Sequence, residues 1–273
     1  MNSVTVGEAS GSPPRISLAN AQFWGNARLV KKYARPGLRP VEADILDRYG
    51  EDLSKRTLEL GCGAGRLTSE LSRLGGEVHG IDLSRAMIEY CQRTYPDVSF
   101  SQRDLRDLGG FGDGSFEAVL APFNVLDVLD DAERRVALDE LHRILGAGGL
   151  LVISSHNRGS AAGVARPRPR LSRDPRQTVA SIVYFPARLR NSRRLRKLES
   201  STVDFEVIND SAHNYSLLHY YISRDSQERQ LEEHGFELLE CLDLDGLRVE
   251  RGELAPQSPE LHYVARRLDG GRA

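Results

Sequence analysis

The chain has only three cysteines in 273 residues, Cys62, Cys91 and Cys241, far apart and with no CxxC pair. That argues against a disulfide framework and against a structural zinc site. No apolar run approaches the roughly 18–20 residues that a membrane helix needs. The opening MNSVTVGEASGSPP lacks the charged-then-apolar order of a secretory signal. Residues 1–14 therefore read as a disordered tail, and the expected location is cytoplasmic. Internal repeats are absent, and the formal net charge is only −2, with 40% hydrophobic and 28% charged residues, an ordinary globular composition. The small net charge conceals an asymmetry. Between Arg158 and Ser200 there are twelve Lys/Arg against two Asp/Glu, about +10, which leaves about −12 for the remainder.

What is present is alternation. Helical signals fill 15–50, broken at Pro36 and Gly37. TLEL, EVHGID, VSFSQRDL, FEAVLAPFN and GLLVISSH read as five strands, separated by helical spacing at RLTSELSRLG, SRAMIEYCQRTY (with Ser84 as N-cap) and DDAERRVALDELHRIL. Such alternation predicts crossover units and a doubly wound α/β fold with a mostly parallel sheet. After residue 157 the pattern breaks into an Arg/Pro-rich stretch and a basic helix, PARLRNSRRLRKLES. TVDFEVI and SLLHYYIS then read as an antiparallel hairpin, before helix and strands resume. The expected organisation is a tail (1–14), an N-terminal helical cap (15–50), a core (51–157), a basic insertion and hairpin lid (158–222) and the end of the core (223–273).

TLELGCGAGRL places glycines at 61, 63 and 65 where the first strand meets the first helix, the ligand crevice of open parallel sheets. The spacing is one residue shorter than a G-x-G-x-x-G dinucleotide fingerprint. Glu59, on the ligand-facing strand end, repels a pyrophosphate and attracts an ammonium or sulfonium. Asp82 ends the second strand about 20 residues on, where an acid binds ribose hydroxyls, and Asp104 follows the third, placed to accept from an adenine amine. Cys62 reads as a small structural residue in a crowded loop. These landmarks, LELGCGAGRL, VHGIDLS, RDL and HRILGAGGLLVIS in this order, resemble the class I S-adenosylmethionine-dependent methyltransferases, strongly over 57–157 and weakly over the last forty residues. The resemblance implies a seven-stranded Rossmann-like sheet and S-adenosyl-L-methionine as cofactor. It implies a cofactor site at Glu59, Gly61, Cys62, Gly63, Asp82, Leu83, Met87, Asp104, Leu105 and Ala121, with Tyr33 closing over the methionine carboxylate.

Methyl transfer from a sulfonium needs alignment and water exclusion, and a hydroxyl acceptor favours a general base. The sequence offers His156, Asp210, His213, Tyr215, His219, Tyr220 and Tyr221; His213 ranks first, His156 second, and Tyr215 completes the catalytic set. In a strand His219 and Tyr221 share one face and Tyr220 takes the other. His79 and His142 belong to the scaffold, and His234 and His262 lie distant in sequence. Asp127, Asp130 and Asp131 read as the acidic first turn of a helix, and no metal is expected. The favoured acceptor is a small or sugar-type molecule taking the methyl on oxygen. Nucleic acid is disfavoured because the basic segment has few aromatics and Ala121-Pro122-Phe123-Asn124 stands where base-amine methylators carry Asn/Asp-Pro-Pro-Tyr. A non-catalytic cofactor binder and contact with an anionic surface are the remaining alternatives, and the sequence leaves the oligomeric state open.

Overall fold

A computed structural model describes residues 15–24, 29–34, 37–160, 166–169 and 171–269. The expected tail and Pro36 lie outside the described residues. In chain order the elements are α1 (Arg15–Trp24), α2 (Val30–Tyr33), α3 (Pro40–Leu53), β1 (Thr57–Leu60), α4 (Arg66–Ser72), β2 (Val78–Asp82), α5 (Arg85–Thr94), β3 (Ser99–Gln102) and β4 (Phe116–Ala121). They continue with α6 (Asp131–Ile144), β5 (Leu145–Asn157), α7 (Pro175–Val183), α8 (Phe185–Leu195), β6 (Ser200–Ser201), β7 (Phe205–Ile208), β8 (His219–Ile222), α9 (Arg224–Glu233), β9 (Phe236–Leu242) and β10 (Glu260–Arg267). Short 3-10 turns stand at Val125–Val128 and Ala212–Asn214.

Seven strands form the central sheet in the order β3-β2-β1-β4-β5-β10-β9, parallel except for β10 against β5 and β9. Strand order reverses between β1 and β4, so the loops after these two strands open the crevice expected of a doubly wound sheet. Apolar side chains alternate across the sheet with the strand period of two. Val119, Ala121, Leu151 and Ile153 face α6, whose Ala137, Leu138 and Leu141 close one layer. Ala118, Leu120, Leu150 and Val152 face Val41 and Ile45 of α3 and Leu67 and Leu71 of α4. Each such buried Val, Leu or Ile contributes roughly 1.5–3 kcal/mol of transfer free energy. α3, read in the sequence as part of a cap, thus packs as a layer of the core.

The hairpin is present as β7 and β8, antiparallel with Phe205 opposite Ile222 and Ile208 opposite His219. It does not hang free. β8 pairs with β5 at Tyr221–His156 and Ile222–Asn157, so β8, β7 and β6 extend the sheet to ten strands. α7 is an element the sequence reading passed over.

Candidate active site

The glycine loop follows from sterics. Gly61 and Gly63 sit at φ 61° and 54°, a region costly for residues with a Cβ. A Cβ on Gly61 would come within 2.6 Å of Val125 Cγ2 in the loop after β4. The Gly63 amide donates to Asp82 Oδ2 at 2.9 Å and the Ser84 amide to Oδ1 at 2.7 Å. Asp82 thus ties the loops after β1 and β2 together, while Ser84 stands at the N-cap of α5 as expected but with its Oγ buried and without a hydrogen-bond partner among the described residues. Burial raises the Asp82 carboxyl, opposed by those two backbone donors.

Glu59 is 2% exposed and accepts from Thr68 Oγ1. Burial pushes its carboxyl up to about 8, despite Thr68 and Arg66. This modifies the reading of Glu59 as a standing negative charge, because burial favours its protonated form near neutrality. Asp104 differs. Arg106 grips it through Nη2 at 2.5 Å and Nε at 2.9 Å, which holds its carboxyl below the usual range against the opposing effect of burial.

Around these groups lies a cavity of about 370 Å³, within the usual range for small ligands. Tyr33, Glu59, Gly61, Cys62, Gly63, Asp82, Leu83, Met87, Asp104 and Leu105 all line it, as do His156 and His213. Two expected residues do not. Ala121 is fully buried in the core under the sheet, and Phe123, Asn124 and Val125 form the wall instead. Tyr215 is 4% exposed and outside the lining.

Sequence reading missed several wall residues. Phe123 lies between the guanidiniums of Arg39 and Arg66, 4.0 and 4.6 Å from its ring centre. Arg39 pairs with Glu260, Arg66 with Glu42 at 2.6 Å, and Arg106 with Asp104 and Glu133, so three of the four cavity arginines are already matched by carboxylates. Arg103 instead stacks on Phe111 at 4.7 Å. His262, distant in sequence, is buried and 3.3 Å from Glu260 on the cavity wall.

The histidines separate by environment. His156 Nδ1 lies 2.7 Å from Asp127 Oδ2, and its own amide donates to the same oxygen at 2.6 Å. Asp127 is fully buried and holds Arg134 Nη1 at 2.7 Å, so it belongs to a buried network and not to the first turn of α6. Asp130 caps that helix in a capping box with Glu133, and Asp131 stands in its first turn. Burial lowers the His156 imidazole, but Asp127, Asp210 and Glu260 reverse this and leave it raised. His219 repeats the arrangement: its Nδ1 is 2.7 Å from Asp210 Oδ2, which also accepts from Tyr221 OH at 2.7 Å. The two imidazoles stack with centres 4.8 Å apart. Tyr220, on the other face as expected, bonds Asp131. His213 is packed against Phe23 and Trp24, with Lys32 Nζ 3.5 Å from its Nδ1. Burial, then Lys32, drives it down to about 4.

One ligating atom each from His156, Asp210 and His219 falls within 4.8 Å of the others, a spacing open to a metal ion. Asp210 is already occupied by three donors, however: His219, Tyr221 and the Ala212 amide at 2.8 Å. The Asp210 carboxylate is thus satisfied by hydrogen bonds.

Comparison with known proteins bears on the domain and the fold. A family model described as a methyltransferase domain matches residues 57–149, about a third of the chain. A demethylmenaquinone methyltransferase of Beutenbergia cavernae is 30% identical over 139 residues, 51% of this chain and 49% of that one. A ubiquinone biosynthesis O-methyltransferase of Xanthomonas oryzae pv. oryzae is 29% identical over 130 residues, 46% and 53%. The chain spans about half the length of the curated relatives it matches. The crystal structure of Burkholderia thailandensis 1,6-didemethyltoxoflavin-N1-methyltransferase, with 1,6-didemethyltoxoflavin and S-adenosylhomocysteine bound, superposes with a TM-score of 0.59 at 16% identity. It covers 97% of this chain and 94% of that one, a likeness of fold.

Proposed function

We propose that this chain, in which residues 57–149 match a methyltransferase domain on the doubly wound fold of class I S-adenosylmethionine-dependent methyltransferases, is an enzyme that transfers the methyl group of S-adenosylmethionine to a hydroxyl oxygen of a small-molecule acceptor. The cavity residues suit that cofactor. Glu59 and Asp82 offer carboxyl groups at the glycine loop, no lysine is among the lining residues, and three of the four arginines are already paired. This is a poor receptacle for a pyrophosphate and a good one for an adenosine joined to a cationic thioether. When bound, S-adenosylmethionine supplies a methyl group on a sulfonium leaving group. Asp82 would hold the ribose, Met87 and Leu105 would pack on the adenine, and Glu59 with the loop at Gly61 and Gly63 would line the methionine portion. Tyr33 and Trp24 would close the cavity from the N-terminal helices.

The acceptor would lie between Phe123, His156 and His213. The observation that carries the base assignment is the 2.7 Å bond from His156 Nδ1 to a fully buried Asp127. It orients the ring, leaves Nε2 as the nitrogen for the acceptor, and favours the imidazolium formed on taking the hydroxyl proton. His213, first among the sequence candidates, is a weaker base at about 4 and fits better as an aromatic wall. The relatives named for quinone substrates support the small-molecule class.

The test uses methyl-tritiated S-adenosylmethionine with a panel of hydroxyl-bearing small molecules. We expect label in an ether product, and we expect His156→Ala to retain S-adenosylhomocysteine binding while turnover falls about 10²–10⁴-fold. Label recovered on nitrogen would remove the O-methylation reading, and undiminished turnover in the variant would remove His156 as base.

A further inference from the structure

The basic segment plays no part in the chemistry above, yet its described helices have an unusual exposure. α7 turns Val179, Ile182 and Val183 to solvent at 59%, 53% and 65%, with Tyr184 at 53% beside them, while its buried residue is Ser181. The first three follow i, i+3, i+4 spacing and so form one stripe. An aliphatic stripe facing water, with a serine facing protein, inverts the usual pattern of a surface helix. α8 is the ordinary case. It buries Leu195 against Val207, Tyr220 and Ile222, and it exposes Arg190, Arg193 and Arg194. None of these three arginines makes an ion pair with a described residue. The helices meet at Tyr184, which ends α7 and begins α8. An exposed aliphatic stripe and unmatched cations therefore stand on consecutive, joined helices.

A nucleic acid would use the arginines but has no use for a branched aliphatic stripe. An acidic protein would need an apolar patch to match. A bilayer interface supplies both at once, because lipid phosphates take the guanidiniums and the headgroup–acyl boundary takes the aliphatics. No helix is long and apolar enough to cross a membrane, so the contact is peripheral. We infer that the α7–α8 pair seats this protein on an anionic membrane surface. Its position has a consequence for the cavity. Arg188 and Asn191 of α8 bond Asn214 at 2.9 and 3.1 Å, in the turn that carries cavity-lining His213. Seating therefore acts on an element joined directly to the acceptor side. The docking surface itself does not depend on the methyl-transfer reading.

The experiment sediments the full chain with vesicles of mixed phosphatidylglycerol and phosphatidylcholine, and with phosphatidylcholine alone. Binding is expected to the anionic vesicles only. Both Ile182→Ser/Val183→Ser and Arg190→Glu/Arg193→Glu should weaken it about tenfold or more, with circular dichroism and S-adenosylhomocysteine binding unchanged. Failure of the unaltered chain to bind anionic vesicles would overturn the inference whatever the variants do. So would vesicle binding insensitive to the aliphatic pair, or tighter binding to single-stranded RNA that depends on the arginines alone.

Discussion

Glu59 shows how burial changes the meaning of a residue that the motif names. Its carboxyl, held up to about 8 by desolvation, ought to ionise when a sulfonium arrives, because a nearby cation favours the charged form. Cofactor binding should then release a proton below about pH 8, and affinity should rise with pH until the carboxyl is ionised without help. Calorimetry in buffers of different ionisation enthalpy measures this, and Glu59→Gln should abolish the buffer dependence. Stability carries the opposite sign. Between the ordinary 4.5 and about 8 the folded chain holds a proton that the unfolded chain has lost, so the unliganded protein should lose stability as pH rises through that window. A thermal midpoint with the same pH slope in wild type and Glu59→Gln would contradict both expectations.

In α6 the buried stripe runs through Arg134, Ala137, Leu138, Leu141 and Ile144, a helical period with a cation in the apolar phase. That misplaced arginine was a legible signal of a buried polar partner. Its partner was not legible, because Asp127 stands with Asp130 and Asp131 in a run that looks like an acidic helix start. Only the turn at Val125–Val128 carries Asp127 under the end of β5, where it meets the Arg134 guanidinium and Ser155's neighbour His156. Arg134 also bonds Ser155 at 2.6 Å and Gln227 and Gln230 at 2.6 and 2.9 Å. Removing one member of a fully buried ion pair leaves the other charge stranded. Asp127→Ala should therefore cost about 3–5 kcal/mol in urea unfolding; a loss within the roughly 0.5 kcal/mol typical of surface substitutions would show that the network is not structural.

Across the molecule, the sheet is continuous but unevenly joined. β10 pairs with β5 over seven residues, whereas β8 meets β5 at only two. Local opening follows the number of ladder bonds and the depth of burial. Amides of β7 and β8 should exchange with deuterium well before those of β1 and β4, and cofactor binding should slow the Ala212–Asn214 turn most within that hairpin region. Uniform protection across all ten strands would contradict this. The hairpin is thus an extension of the sheet that brings His219 and His213 to the cavity.

Local pattern was enough to establish the alternation of strands and helices, the crevice after β1, and most of the expected residues that line the cavity. These depend on period, glycine sterics and short spacing, all of which act within a few dozen residues. The pairing of Asp127 with His156, the second dyad at His219, and the wall from Arg39, Phe123 and Glu260 depend on contacts between distant segments. So do the exclusion of Ala121 and Tyr215 from the cavity. A strand's alternation says which side chains share a face, but only the packing of whole layers decides which face meets the crevice and which meets the core.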